Sequence, residues 1–260
     1  MLDRFYILDP WFAYGLSAVI VLAAAEFGRW IGVIWRRHHP EDVSPDILTL
    51  EGATLGLLAL MIGFSFSIAL NRFDARQSGV ADEANAIGTS ALYARMLPEP
   101  HASEVKGLLH DYVQLRVDLF RAPPSPISLE QMIRRSNQLQ AELARHAIEV
   151  STIDPHSISA GLFMHALNEM FDLQEKRIAA ARNRVPGLVF MLLYGIAVVA
   201  IGFSGYASAL GSRRGRIPVA IMAVLVSGVI AMVGDIDGSQ TGFINVSQQA
   251  MHDLAQSMDR

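Results

Sequence analysis

The chain has 260 residues, 52% apolar and 18% charged, against roughly 45–50% and 25% in a soluble domain. With no cysteine and a net charge of −4, it excludes disulfides, thiolate metal sites and a cysteine nucleophile, and offers no basic footprint for nucleic acid. Charge is also segregated: residues 10–25, 52–71, 185–212 and 217–234 lack Asp, Glu, Lys and Arg, while 72–184 holds 27 of the 46 charged side chains. Such segregation predicts a multi-pass integral membrane protein of the cell (inner) membrane, in contact with the lipid bilayer.

A helix crossing about 30 Å of hydrocarbon needs roughly 20 residues and must satisfy its backbone internally. The first predicted span runs from Trp11 to Trp35, with Trp11 and Tyr14 at one interface and Trp30, Trp35, Arg36 and Arg37 at the other. A signal peptide cut after Ala23-Ala24-Ala25 fits less well, because Asp3 and Asp9 outnumber Arg4 where such signals carry positive charge. The second span occupies 52–71. With no proline from Asp46 to Leu97, it is expected to continue as one rod, with Gly79 and Gly88 as candidate breaks. Residues 185–212 and 217–234 give the third and fourth spans, with Pro186 and Pro218 near their starts, where a missing N–H costs little.

Between spans two and three, residues 72–184 read as helices throughout. Val80, Ala84, Ile87 and Ala91 form a small-residue stripe. After Pro98 and Pro100, a helix from Ser103 carries Val105, Leu108, Leu109 and Tyr112 on one face. The Pro123-Pro124-Ser125-Pro126 run is a turn or stiff spacer. A further helix is expected from Ser128, with Gln131 completing a capping-box pattern, and its apolar face is Leu129, Met132, Ile133, Leu139 and Leu143. The last runs from near Pro155 to Arg184, with Ile158, Leu162, Ala166 and Met170 in line. The domains expected are thus a first membrane helix pair (1–71), a helical extramembrane domain (72–184), a second pair (185–236) and a tail (237–260).

Basic residues do not fix the side of the membrane. Arg36-Arg37 and Arg213-Arg214-Gly215-Arg216 lie in short loops, but Arg72, Arg76, Lys176, Arg177, Arg182 and Arg184 flank the insert with equal weight. The first spanning count does establish that both termini and the insert share one side.

No phosphate-cradling glycine loop, zinc-protease motif or nucleophile elbow occurs, so no catalytic residue is assigned and no enzyme is expected. The eight histidines are scattered, and His38-His39 reads as solvated loop. Polar groups at membrane depth or helix ends remain. Glu26 and Arg29, spaced i, i+3, are a candidate intramembrane ion pair. Asp235 and Asp237, before Gly238, offer hard oxygen ligands as a candidate Ca²⁺ site, with salt bridges to Arg182 or Arg184 as the competing reading. On span two, Leu60, Phe64 and Ile68 recur at i, i+4 and i+8 among Gly52, Gly56 and Gly63. That stripe is a lipid face, a core face or the constriction of an oligomeric pore, while the glycines suit close helix packing.

Several runs in order carry a resemblance: Gly63-Phe64-Ser65-Phe66-Ser67, Glu83-Ala84-Asn85-Ala86-Ile87-Gly88-Thr89, Leu97-Pro98-Glu99, Ala166-Leu167-Asn168-Glu169-Met170, Asn183-Arg184-Val185-Pro186 and Val246-Ser247-Gln248-Gln249. From about residue 50 to 255 the chain resembles a bacterial membrane family of unknown function labelled bestrophin-like. That label points to bestrophins, which are pentameric anion channels with four membrane helices and a helical domain between the second and third. Their second helix narrows the pore with apolar side chains, and acidic residues after the fourth bind calcium. The resemblance therefore implies an all-α, bestrophin-like layout, a homo-oligomer (a pentamer by that analogy) and small anions such as chloride as cargo. It also implies Leu60, Phe64 and Ile68 as the pore constriction and Asp235 and Asp237 as a metal site. One departure is local: similar members carry Arg-Pro after the second aspartate, where this chain has Gly238-Ser239. The alternative reading is a non-conducting membrane scaffold or sensor whose helical domain docks a partner.

Overall fold

The computed structural model describes residues 10–38, 45–121, 126–210, 215–238 and 242–259. The Pro123-Pro124-Ser125 turn and the loop arginines Arg213 and Arg214 lie outside them, as do His39 and Ser239. The elements are all helical: α1 (Pro10–His38), α2 (Pro45–Ala94), α3 (His101–Arg121), α4 (Pro126–Ile153), α5 (Ile158–Arg182), α6 (Gly187–Leu210), α7 (Arg216–Asp237) and α8 (Gln249–Met258). Four runs are long and apolar enough to cross a membrane: Tyr14–His38, Thr49–Ala94, Ile158–Leu210 and Arg216–Asp237. The alanine triplet considered as a cleavage site is internal to α1.

Helix α2 runs unbroken for 50 residues, about 75 Å at 1.5 Å each. Neither Gly79 nor Gly88 interrupts it, since an isolated glycine lowers helix stability by only about 1 kcal/mol. The chain divides into two compact units, Met1–Phe73 with Arg184–Asn245, and Asp74–Asn183 with Val246–Arg260.

In the first unit, α1 packs on α6 and α7 with its backbone almost touching that of α6. A Cβ built on Gly28 would stand 1.9 Å from the Gly202 carbonyl oxygen, one on Gly32 2.7 Å from that of Tyr206, and one on Gly205 2.0 Å from that of Ala25. Only hydrogen fits at these three positions. By contrast, Gly52, Gly56 and Gly63, where the sequence suggests close packing, have nothing within 4 Å of such a Cβ. The signal for the real crossing is Gly28-x-x-x-Gly32 on α1, the spacing that lets membrane helices approach. Around it Val21, Ala25, Ile201 and Ala223 pack together. Leu58 of α2 joins Leu193, Ala197, Ala200 and Ile230, and Ala69 joins Val185, Val233 and Ile236.

The second unit is a helical bundle with one large apolar core. Val80, Ala84 and Ile87 of α2, Val105, Leu109 and Tyr112 of α3, and Leu139 and Leu143 of α4 are all buried in it. Helix α4 begins at Pro126, two residues before the expected cap at Ser128, because proline suits a first turn. Helix α5 starts at Ile158, where the Ser157 side chain accepts the Ala160 N–H. Its inward face departs from the expected one in the first half: Ile158 is 78% exposed and Leu162 is also on the surface. Ala166 and Met170 of the expected stripe are buried, and Phe163, Leu167, Gln174 and Arg177 complete the inward face. A strict i, i+4 series drifts by about 40° per step on a 3.6-residue helix, so a stripe drawn that way leaves the core. Beyond the expected tail boundary, Met251 and Ala255 of α8 are buried in this same core.

Candidate functional site

Among the four apolar runs, the one in α2 is the least covered by its own chain, with 17% of its most apolar window buried against 22–28% in the others. Leu58, Ser65 and Ala69 turn inward. Leu60, Phe64 and Ile68 turn the other way, at 53%, 59% and 41% exposure. Spacing of i, i+4 and i+8 places the three on one side of the helix, beside the open glycines 52, 56 and 63. The face so formed is apolar, slender between its bulky residues, and unpartnered within the chain.

Glu26 and Arg29 do not pair along α1. The Glu26 carboxylate instead accepts a 2.9 Å hydrogen bond from Arg216 Nε at the start of α7. A glutamate one turn from the arginine can reach it on the helix surface, but a cross-helix guanidinium offers the better-aligned donor here. Arg29 lines a neighbouring cleft of about 350 Å³ with Val33, Arg36, Arg37, Ser208, Ala209 and Arg216. Arg36 Nη1 also donates to the last turn of α6, at Ala209 O, over 3.3 Å. Four arginines, three on α1 and one at the start of α7, make this cleft positive, with Glu26 offsetting the charge of Arg216.

Asp235 and Asp237 both hold backbone. The two Asp235 oxygens accept the N–H groups of Phe243 and Ile244 at 3.1 and 2.9 Å, fastening the segment after α7 back onto its end. Asp237 is fully buried, and both its oxygens lie within 3.0 Å of the Val185 N–H just ahead of α6. Residues two apart on a helix face away from each other, and these carboxylates serve different strands of chain. A Ca²⁺ ion needs six to eight oxygens converging on one point. Among the described residues Asp235 and Asp237 do not belong to any close-set group of three or more His, Asp or Glu ligands.

One buried ionic cluster is illegible in the sequence. Glu83, at 0% exposure, receives Arg116 Nε at 2.8 Å and Arg177 Nη1 at 2.5 Å on its two oxygens. Tyr112 hydroxyl stands between Glu83 Oε1 and Gln174 Oε1. Ser136 and Gln140 also donate to Gln174, and Arg177 Nη2 donates to Gln248 at 2.7 Å. Burial, with the Glu83 charge second, pushes the Tyr112 phenol well above its ordinary value. The acids Glu169 and Asp172 of α5 are on the surface. Glu83 looks no different from them by spacing, and only the bundle's packing separates it.

A sequence profile of the bestrophin-like domain matches residues 18–251. The chain belongs to the bestrophin-like family. Solved structures agree on the fold. A mutant of a bacterial bestrophin homologue from Klebsiella pneumoniae superposes with a TM-score of 0.70 at 14% identity, covering 95% of this chain and 96% of that one. Another structure of the Klebsiella pneumoniae homologue gives 0.66 at 16% identity, covering 95% and 96%. A structure described as a membrane protein gives 0.68 at 15%, covering 96% and 97%. No curated protein matches this bestrophin-like chain in sequence. Family membership and four apolar helices together make it an all-helical membrane protein.

Proposed function

We propose that this bestrophin-like protein is an oligomeric ion channel that favours anions, with residues 72–184 forming a helical extramembrane domain between the second and third of four membrane spans in the cell membrane. In this reading the pairs 1–71 and 185–236 form the membrane part of each subunit. The apolar half of α2 lines the pore and Leu60, Phe64 and Ile68 form its constriction. The carrying observation is that α2 is the least covered apolar helix and presents those three side chains outward in one row. A ring of such rows, five in a pentamer, makes an apolar neck that gates by dewetting. The arginine cleft of Arg29, Arg36, Arg37 and Arg216 supports the preference for anions, since it raises their local concentration. Asp235 and Asp237 act as clamps on the backbone, at the end of α7 and at the start of α6.

The test is chloride flux into liposomes carrying the purified full chain. Flux is expected, with a leak several-fold larger in Phe64→Ala as the neck widens. Absence of flux in both proteins, in particles of one or two subunits, overturns the proposal and favours a non-conducting scaffold.

A further inference from the structure

Two histidine–glutamate pairs of identical spacing face each other across the second unit. His101 and Glu104 open α3, and His146 and Glu149 lie on the later turns of α4. Each pair is spaced i, i+3, which sets both side chains on one helix face, and α3 packs against α4. The two Nδ1 atoms stand 3.0 Å apart. Glu149 Oε2 lies 3.9 Å from His101 Nδ1, and Glu104 Oε2 lies 3.6 Å from His146 Nδ1. The rings meet edge to face at 73° with centroids 5.4 Å apart, so their nitrogens converge instead of stacking.

We propose that His101, His146 and Glu149, with Glu104 in reach as a fourth ligand, form a binding site for one divalent transition-metal ion of the Zn²⁺ class. The ligand atoms of the first three all lie within 4.8 Å of one another. In a tetrahedral site with bonds near 2.0–2.1 Å, neighbouring ligand atoms are about 3.3 Å apart. The observed 3.0, 3.6 and 3.9 Å bracket that value, so small rotations of the side chains close the shell. Two imidazole nitrogens with carboxylate select Zn²⁺, Co²⁺ or Ni²⁺ over Ca²⁺ and Mg²⁺, which want oxygen alone.

The surroundings also suit a metal. Zn²⁺ binds neutral imidazole, and burial, followed by the Arg145 charge, pushes the His146 ring below its ordinary value. Arg145 Nη1 holds the other Glu149 oxygen at 2.8 Å, orienting the ligand oxygen toward the histidines. His146 is buried while both glutamates are open to solvent, giving a site closed beneath and accessible above. Without metal, the two Nδ1 atoms can share only one proton. With it, α3 and α4 are tied together at a point where their own contacts are polar.

The experiment is calorimetric titration of Zn²⁺ into the metal-stripped full chain in detergent, followed by zinc X-ray absorption. The wild type is expected to bind one ion per chain with two imidazoles in the shell. His101→Ala and Glu149→Gln, both checked for retained helical circular dichroism, are expected to weaken that binding at least tenfold. Six other histidines supply a background, which the variants measure. Wild-type affinity retained in His101→Ala, or no Zn²⁺ binding by the wild type above the His101→Ala/Glu149→Gln background, overturns the site.

Discussion

In the first unit the tightest contact is between two backbones, with Gly28, Gly32 and Gly205 leaving α1 and α6 nothing wider than hydrogen atoms to separate them. The second unit keeps its helices apart with Leu, Phe and Tyr side chains and places a carboxylate between two guanidiniums at the centre. On the proposed layout, the difference follows from the medium that each unit answers to. Among lipid tails an apolar side chain gains little by meeting another, so association rests on close van der Waals contact. A charged bundle gathers its core by excluding water, and can then accommodate a buried ion cluster in which Glu83 is shared by Arg116 and Arg177. The two halves of α2 show the same division within one helix: bulky side chains on an open face before Phe73, and small ones packed deep after it.

The sharpest way to break this comparison is at Glu83. Glu83→Ala leaves Arg116 and Arg177 buried without their shared partner and should cost about 3–5 kcal/mol. The expected result is a large drop in the thermal midpoint of the full chain in detergent, and an unchanged midpoint would show the cluster to be incidental. Next comes Gly205→Ala, whose methyl would meet the Ala25 carbonyl oxygen at 2.0 Å. A loss of about 1–3 kcal/mol is expected from forcing the helices apart. Gly56→Ala, with open space around it, should instead be neutral or slightly stabilising in the same melt. Equal effects at the two glycines would sink the backbone-contact account.

A smaller effect is expected from Ser157→Ala, which removes the cap on the Ala160 N–H at the start of α5 and should cost about 1 kcal/mol. Hydrogen exchange of the first turn of α5 should report it more clearly than the melt. The smallest belongs to Glu26→Gln, because its bond to Arg216 is exposed and such pairs contribute roughly 0–1 kcal/mol. A shift larger than that in the same melt would mean that the α1–α7 ion pair does more than decorate the unit's edge.

Much of the architecture is legible in the sequence because lipid and water impose long, uniform signals. Charge-free runs locate α6, α7 and the apolar half of α2 to within a few residues, while α1 runs on well past its charge-free stretch, 10–25, to His38. Prolines at 98 and 100 close the long helix where expected, at Ala94. Short-range polar contacts are less readable. Glu26 has an arginine three residues on and another 190 away, and it bonds the distant one. Asp235 and Asp237 read as ion ligands because carboxylates suit cations, and no local spacing shows that the N–H groups of Val185, Phe243 and Ile244 donate to their oxygens. Glu83 and the facing histidines depend on which helices become neighbours, and no local spacing encodes that. The outward row of Leu60, Phe64 and Ile68 is the reverse case, visible at once by periodicity but assigned a role only through its lack of cover.

The glycine crossing has a consequence for how the protein is made. Gly28 is synthesised roughly 170 residues before Gly202, an interval on the order of 10–30 s at ordinary elongation rates. On the proposed layout, α1 holds its bare glycine face in the bilayer throughout that time with Gly202 and Gly205 of α6 still unmade. Its own composition must therefore keep it inserted. Each later step, the bundle included, is completed around a first helix that is still waiting for its mate.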